Sequence, residues 1–307
     1  RSTWRNVSAF YQIMKNERSS VLPIAVVTCA LLLGACDVIE DPVIPVTTNY
    51  LEALYGPAPT FDALPANSAV KRVLIEDFTA HQCGNCPAAA IIAEDLAEVH
   101  EGLVSVMAIH AGDLANTDDD HFDTDWTTDE GDVFWDQLDF QANPLGRVNR
   151  VDGTGAFWAP AQWNDKVIEE LAKTPRVALQ AEYSWEAANE HLNMHVHGTF
   201  YDAIEGPVQL AWLVLESDII DYQLDYSSDP AVVPDYEFDH VLRGSVHGAI
   251  GQGFGDVAQG AEAGDVAMQS VTFEWNPNWI LENSTVVAVL TDSDGYVLNS
   301  LEIHPGE

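Results

Sequence analysis

The segment at residues 71–110 constrains the fold of this chain more than any other feature. It contains a buried strand (71–79, KRVLIEDFT), a helix (88–99) and a second buried strand (102–110, GLVSVMAIH). Continuous apolar centres are typical of strands that are covered on both faces of a parallel sheet. A strand, a helix and a strand in this order predict a right-handed βαβ unit with two parallel strands.

The turn between the first strand and the helix carries the sequence Cys-Gly-Asn-Cys-Pro at residues 83–87. Unpaired backbone N–H groups and the helix dipole at a helix start favour a thiolate, so we expect an exposed, reactive Cys83. Cys86 lies one turn further on, close enough to form a disulfide with Cys83. Pro87 is tolerated because first-turn N–H groups have no partners within the helix. An exposed thiol with a buried resolving thiol is what thiol–disulfide exchange requires.

Residues 73–87, VLIEDFTAHQCGNCP, resemble the active-site strand and turn of the thioredoxin fold. The resemblance implies that Asp77, six residues before Cys83, is the buried acid that exchanges a proton with the resolving cysteine, Cys86. Strand alternation places Asp77 on the same face as Ile75, under the helix start. Desolvation there would raise the pKa of the carboxyl and suit it to proton transfer.

Asn143 and Pro144 precede a predicted strand at residues 147–151 and resemble the cis-proline loop that faces the CxxC turn in thioredoxins. In that fold the loop receives a partner's backbone as an added strand. His81 is expected near the partner, where a protonated ring would stabilise a thiolate. One departure is Gln82, which stands where thioredoxins usually have a tryptophan, and this leaves partner docking and oxidant strength open.

The first 35 residues have the pattern of a targeting signal. Residues 1–13 are excluded from the fold, and from Met14 a short basic head precedes an apolar run at 21–33. Such a run is too short to span a hydrocarbon core of about 30 Å and is typical of a signal peptide. It leads into Leu-Gly-Ala-Cys, which resembles a bacterial lipobox whose cleavage leaves Cys36 lipid-modified and anchored in the membrane. The alternative is an ordinary secretory signal with an unmodified Cys36.

Composition excludes nucleic-acid binding and a zinc ribbon. The chain has 12 Lys and Arg against 49 Asp and Glu, a net charge of −37. A body this acidic repels nucleic-acid phosphates, so nucleic-acid binding is excluded. Of four cysteines, Cys29 lies in the signal and Cys36 would carry lipid, which leaves one CxxC and no second pair for a zinc ribbon. We therefore expect neither a metal nor a cofactor at the site.

The remaining chain divides into a tether and two domains. Residues 36–68 contain five prolines and lack periodicity, which predicts an extended tether. Residues 69–174 form the predicted thioredoxin-like α/β domain, with further helices at 132–140 and 161–172. Residues 175–307 form the predicted all-β domain. Its apolar period is two in six runs (177–185, 192–200, 208–216, 265–275, 285–292 and 296–303) separated by turn residues, which predicts an antiparallel sandwich.

Two other features suggest metal binding less strongly. The acidic stretch at residues 112–132 would be a weak calcium site at most. No alignment of it supplies the glycine and glutamate that an EF-hand loop needs at its sixth and twelfth positions, so a solvated loop is favoured. His195 and His197 lie two apart on a strand and share a face. A hydrogen-bonded or exposed pair is favoured over a metal site there.

The lipobox, EDFTAHQCGNCP, VMAIH, NPLGRVNR and the β-rich C-terminal half together resemble the Gram-negative surface lipoproteins named after outer membrane protein 28. This resemblance covers residues 68–304. It implies an outer-membrane lipoprotein with a thioredoxin-like domain and a sandwich, and it leaves open whether the body faces the periplasm or the medium.

The leading functional hypothesis is a lipid-anchored thiol–disulfide oxidoreductase acting on the disulfides of partner proteins. Cys83 would attack, Cys86 would resolve the mixed disulfide and Asp77 would move the proton. The alternative is a non-catalytic binding or scaffold lipoprotein with a structural Cys83–Cys86 bridge, although closing so short a loop gains little entropy. A third hypothesis is metal capture by both cysteines, His81 and a ligand from elsewhere.

Overall fold

The computed structural model describes residues 50–118 and 120–306. The predicted signal peptide, the predicted lipobox and Cys36 lie outside the described residues. The four α-helices of the described residues are α1 (Glu52–Tyr55), α2 (Cys86–Val99), α3 (Asp129–Asp136) and α4 (Pro160–Leu171). None of the helices within these ranges is long and apolar enough to cross a membrane.

The strands follow one another along the chain as β1 (Val73–Thr79), β2 (Val104–His110), β3 (Leu145–Val148), β4 (Val177–Glu186), β5 (His191–Phe200), β6 (Ile204–Glu205), β7 (Gln209–Glu216), β8 (Ile219–Leu224), β9 (Val232–Phe238), β10 (Val241–Ser245), β11 (Gln252–Gly253), β12 (Gly260–Ala261), β13 (Val266–Glu274), β14 (Ser284–Thr291) and β15 (Val297–Ile303). The fold is therefore of the mixed α/β class, with extensive β-sheet.

The predicted βαβ unit is confirmed. Strands β1 and β2 are parallel, in a register that runs from Val73 opposite Val104 to Thr79 opposite His110. Helix α2 connects them and packs its buried residues, including Ala93, against the sheet. Strand β3 extends the sheet antiparallel to β1. This part of the chain places the CxxC turn at the carboxyl end of β1.

One eight-stranded sheet runs through both halves of the chain. Its order is β15-β14-β7-β10-β2-β1-β3, with β11 beside β7. Strand β10 joins the halves, because Val241 pairs in parallel with Ala108 of β2 while β10 is antiparallel to β7 along its length. Its insertion occupies the edge of β2 that would otherwise carry unpaired backbone groups. The boundary expected at residues 174/175 therefore separates strands that belong to the same sheet.

A second, three-stranded sheet has the order β13-β5-β4 and is antiparallel throughout. One buried apolar cluster joins it to strands β7, β14 and β15 of the large sheet, with Trp212 and Val196 fully buried in it. The six predicted strands of the C-terminal half are all present. Strands β8, β9 and β10 and the two-residue strands β6, β11 and β12 were not predicted.

Residues 50–68, which the sequence predicts to be part of the extended tether, instead contact the three-stranded sheet. The Leu51 N–H donates to Thr272 Oγ1 at 3.0 Å, and the Leu64 N–H donates to Thr199 Oγ1 at 3.1 Å. The hydroxyl of Tyr201 donates to the Leu64 carbonyl oxygen at 2.9 Å. Polar side chains of the sheet thus satisfy the backbone of this proline-rich segment.

The same segment covers the paired histidines on β5. Phe61 stacks on His197 with ring centroids 5.3 Å apart, and Tyr50 meets His195 edge-on at 4.7 Å. His195 Nδ1 lies 2.8 Å from Ser270 Oγ. The favoured interpretation of these residues as a hydrogen-bonded pair agrees with the contacts of His195, and both rings are buried rather than exposed.

A buried ion cluster lies on the face of β1 opposite to Asp77. Glu76 is fully buried, with Arg147 Nε at 2.8 Å and Arg150 Nη2 at 2.9 Å from its carboxylate oxygens. Burial alone would raise the pKa of Glu76, but the two guanidinium groups outweigh burial and lower it. Each buried charge is therefore paired.

Candidate functional site

The CxxC turn lies between β1 and α2, and its two cysteines form a disulfide. The S–S distance is 2.04 Å and the Cα–Cα distance is 5.3 Å. Helix α2 begins at Cys86, with Asn85 before it and Pro87 in its first turn. The Cys86 N–H donates to the Cys83 carbonyl oxygen at 3.0 Å. The turn thus has the predicted location at the start of the helix.

The prediction of an exposed Cys83 is wrong. Cys83 is 3% exposed and Cys86 is 2% exposed, so both cysteines are buried. The cause is the antiparallel pair β8 and β9, which we call the covering hairpin (residues 219–238). Thiol–disulfide exchange needs access of the partner to a sulfur, and the covering hairpin denies that access in this state.

Three hydrogen bonds hold the covering hairpin along the CxxC turn. The Leu224 N–H donates to the His81 carbonyl oxygen at 2.8 Å, and the Tyr226 N–H donates to the Gly84 carbonyl oxygen at 2.8 Å. Gln223 is buried and its Nε2 donates to the Cys83 carbonyl oxygen at 3.1 Å. The backbone carbonyls of the turn are therefore occupied by a neighbouring segment of the same chain.

Asp77 is buried beneath the start of α2, as its predicted role requires. It is 2% exposed, and its Oδ1 has no hydrogen-bond partner among the described residues. Asp77, Cys86 and Tyr236 line the same cavity of about 30 Å³. Burial raises the pKa of Asp77 to about 8. The carboxyl is thus protonated near neutral pH, and transfer of its proton to or from Cys86 stays a prediction.

The expected cis peptide bond is present between Asn143 and Pro144. The Asn143 amide Nδ2 donates to the carbonyl oxygen of Thr79 at 2.9 Å and to that of Ala111 at 3.3 Å. Thr79 is the last residue of β1 and Ala111 follows β2, so the loop is fixed at the carboxyl end of the parallel pair. Capture of a partner's backbone by this loop stays a prediction.

His81 points into the protein rather than towards solvent. It is buried, its Nε2 lies 3.0 Å from the Asn116 carbonyl oxygen, and its ring packs on Phe122 with centroids 5.2 Å apart. Its predicted contact with a partner therefore requires a rearrangement. Metal capture by His81 with Cys83 and Cys86 also requires reduction first, because disulfide sulfurs carry no thiolate to offer a metal.

The acidic stretch at residues 112–132 has the local geometry of a capped turn. Asp118 Oδ1 accepts N–H bonds from Asp120, His121 and Phe122 at 2.9, 3.1 and 3.1 Å. These bonds lower the pKa of Asp118. Within residues 50–118 and 120–306, the carboxylates spaced for a common ion are instead Asp218, Glu237 and Asp239, near the ends of the covering hairpin.

The sequence does contain a signal for the covering hairpin. Two β-branched pairs, at residues 219–220 and 232–233, flank the turn-forming sequence Asp-Tyr-Ser-Ser-Asp-Pro at 225–230. Strand-forming residues on both sides of such a turn are typical of a hairpin. Nothing local indicates that its target is the CxxC turn, so Gln223 and Tyr226 were not predicted as site residues.

The family model of the outer membrane protein Omp28 matches residues 132–307, more than half of the chain. The chain belongs to the Omp28 family. This confirms the resemblance inferred from the sequence and places the chain among outer-membrane proteins of the cell envelope. The Omp28 match begins after the CxxC turn, so it includes Asn143 and Pro144 but not Asp77, Cys83 or Cys86.

Similar solved structures include a domain of an Omp28 lipoprotein and two other proteins. HBP35 of Porphyromonas gingivalis matches with a TM-score of 0.59 and 16% identity, over 77% of this chain and 76% of that chain. A protein from Agrobacterium tumefaciens has a TM-score of 0.48 and 13% identity, over 78% and 96% of the two chains. A domain of the outer membrane lipoprotein Omp28 from P. gingivalis has a TM-score of 0.25 and 16% identity, over 43% and 88%. No curated protein sequence matches the chain.

Proposed function

We propose that this Omp28-family protein is a non-catalytic lipoprotein of the outer membrane, with a binding or scaffold role and a structural Cys83–Cys86 disulfide. The observation that carries the proposal is the burial of both sulfurs under the covering hairpin, at 3% and 2% exposure. In this role the disulfide shapes the turn whose carbonyl oxygens accept the hydrogen bonds of the hairpin. Lipid on Cys36 would attach the protein to the membrane.

The proposal includes the finer architecture expected from the sequence. The βαβ unit with its CxxC turn and cis-proline loop would be a thioredoxin-like domain, and the two layers of antiparallel strands would be a sandwich. The likeness in fold to HBP35 supports a common arrangement over most of both chains. In this view the thioredoxin-like part serves as a support for the covering hairpin.

The test measures access to the sulfurs in the intact protein. A water-soluble phosphine is added to the folded protein, and free thiols are then counted by alkylation and mass spectrometry. We expect slow reduction in the folded state and rapid reduction after unfolding in urea. The Cys86→Ser variant, which leaves Cys83 as a free thiol, should react slowly with maleimide and form no mixed disulfides with model disulfides.

The matched control shortens the tip of the covering hairpin by replacing residues 225–230 with two glycines. This change leaves both cysteines and the whole of β1 and α2 unaltered. Cys83 in the shortened Cys86→Ser variant should react faster than in the Cys86→Ser variant alone. Rapid labelling and mixed disulfides with the hairpin intact would overturn the proposal.

Two observations favour a second candidate, a thiol–disulfide oxidoreductase in which the covering hairpin acts as a lid. Asp77 shares a cavity with Cys86, and its pKa of about 8 suits proton exchange with a thiol. The cis bond before Pro144 is the second observation.

In this second candidate the lid first moves away. The Cys83 thiolate then attacks a partner disulfide, one partner sulfur leaves as thiolate, and Asp77 in its ionised form accepts the proton of Cys86. The Cys86 thiolate next displaces the second partner sulfur, so the dithiol is oxidised and the partner is reduced by two electrons. Reduction of a soluble protein disulfide by the reduced form of the hairpin-shortened protein, and its loss in that protein's Cys86→Ser variant, would support this candidate.

A further inference from the structure

A larger cavity lies beside the one under Cys86, between α2, β2 and the end of β9. Its volume is about 200 Å³. Asp77 lies at its buried end, and the side chains of Ile91, Val106 and Tyr236 contribute to its walls. This volume is below the range of about 300–1,000 Å³ that is typical of pockets for drug-sized ligands, so the cavity suits a small molecule.

The other end of the cavity is open to solvent and acidic. Glu94, Glu237 and Asp239 line it there, and Glu94 and Glu237 are exposed. Oxygen atoms of Glu237, Asp239 and the neighbouring Asp218 all lie within 4.8 Å of one another. Burial, followed by a hydrogen bond that protonated Glu94 donates to Asp239 and by the repulsion of nearby carboxylates, raises the pKa of Glu94. Like charges at this spacing attract a cation.

The lining of this cavity includes no lysine and no arginine, and burial lowers the pKa of the one histidine that lines it, His240. The buried carboxyl of Asp77 is therefore unlike that of Glu76, which is paired with two arginines on the other face of the same strand. The Asp77 carboxyl is buried, faces the cavity and has no cationic partner there. A cationic ligand in the cavity can supply that partner. The cavity thus has an acid at each end and apolar walls between.

We propose that this cavity binds a small alkyl diamine, with one ammonium at Asp77, the other among Glu94, Glu237 and Asp239, and the methylene chain along Ile91 and Val106. A bare divalent ion would satisfy the outer carboxylates only. It would leave the apolar walls and the inner acid without a role. A diamine would give the binding role proposed above a chemical class of ligand, and this inference rests on that role. Binding requires the covering hairpin to be closed, because β9 forms one wall of the cavity.

The test is calorimetric titration of the intact protein, in its disulfide form, with 1,4-diaminobutane. We expect one site per chain, with binding stronger than that of n-butylamine by roughly tenfold, since butylamine lacks the second ammonium. Repeating the titration in two buffers of different ionisation enthalpy should show proton release, because an ammonium favours the ionised form of Asp77. Calcium is titrated separately and should not reproduce either result.

Three variants locate the site. Asp77→Asn should weaken diamine binding by roughly tenfold or more and remove the proton release. Ala90→Leu adds bulk to a residue that lines the cavity and leaves every charge in place, so it should also abolish binding. The double change Asp123→Asn and Asp125→Asn removes two charges from the acidic stretch and should leave the affinity within about twofold.

The proposal is overturned if the double variant of the acidic stretch weakens binding as much as Asp77→Asn, which would indicate general attraction to an acidic surface. Unchanged binding in Ala90→Leu, equal affinity for butylamine, or binding of calcium alone would also overturn it. Failure of Asp77→Asn to fold leaves Ala90→Leu as the decisive variant. Sulfur labelling tests the structural disulfide independently, so the two proposals can fail separately.

Discussion

The backbone N–H of Tyr226, at the tip of the covering hairpin, donates a hydrogen bond to the carbonyl oxygen of Gly84 at 2.8 Å. The aromatic ring of Tyr226 lies so close that a Cβ atom on Gly84 would come within 2.6 Å of it. The middle of the CxxC turn therefore has space for the hairpin only because it is glycine. The covering hairpin therefore buries a motif that is typical of exposed redox sites.

The first prediction concerns this contact. Gly84→Ala should displace the ring of Tyr226 and loosen the hairpin tip, because the added methyl group cannot occupy the same space. We expect the Cys83–Cys86 disulfide of the variant to be reduced faster by a phosphine than that of the wild type. In a Tyr226→Ala background, the Gly84→Ala change should increase the rate of disulfide reduction only slightly. Equal effects in both backgrounds would mean that the ring does not shield the turn.

The second prediction is a pH dependence of stability due to Asp77. Its pKa is about 8 in the folded protein and about 4 when unfolded, so folding takes up a proton between these values. The stability contribution of Asp77 therefore falls as pH rises from about 4 to about 8, by at most about 1.4 kcal/mol per pH unit.

Chemical denaturation across this range measures the effect. The free energy of unfolding of Asp77→Asn, relative to the wild type, should increase from pH 4 to pH 8 and level off above. Asp123→Asn, at an exposed site, should give a profile parallel to that of the wild type. A constant difference between Asp77→Asn and the wild type would show that Asp77 is ionised in the folded protein.

The third prediction concerns the buried ion cluster. Glu76→Gln would leave the guanidinium groups of Arg147 and Arg150 buried without a counter-charge, so the free energy of unfolding should fall by about 3–5 kcal/mol. Glu169→Gln makes the same chemical change in the exposed pair with Lys166 and should cost less than about 1 kcal/mol. Urea denaturation at neutral pH compares the two. Similar losses of stability in the two variants would contradict the pairing of Glu76 with two buried guanidinium groups.

The fourth prediction tests whether residues 50–68 are seated on the sheet. Burial lowers the pKa of His197, and Phe61 stacks on its ring. Phe61→Ala should therefore raise the pKa of His197 in an NMR titration and lower stability by about 1 kcal/mol. Leu54→Ala changes an exposed residue of the same segment and should leave the titration of His197 unchanged. No change with Phe61→Ala would mean that the segment does not cover His197.

Much of the candidate site was predictable because its signals are local. The apolar runs of β1 and β2, with a helix between them, predict the parallel pair, and alternation along β1 places Asp77 on the buried face under α2. The cis-proline loop was predicted from a resemblance that is confined to a few residues around Pro144. The burial of the two cysteines was not predictable, because access to their sulfurs depends on which distant segment packs over the CxxC turn.

The sequence by itself therefore determined the βαβ unit, the position of the CxxC turn and six strands of the C-terminal half, because each depends on periodicity within a short stretch. Only the tertiary structure decided that β10 joins the two halves into one sheet and that the covering hairpin buries the disulfide. Gln223 and Cys83 are 140 positions apart in the chain. Contacts over such distances depend on which strand edges and carbonyl groups are left open after folding, and no local pattern records them.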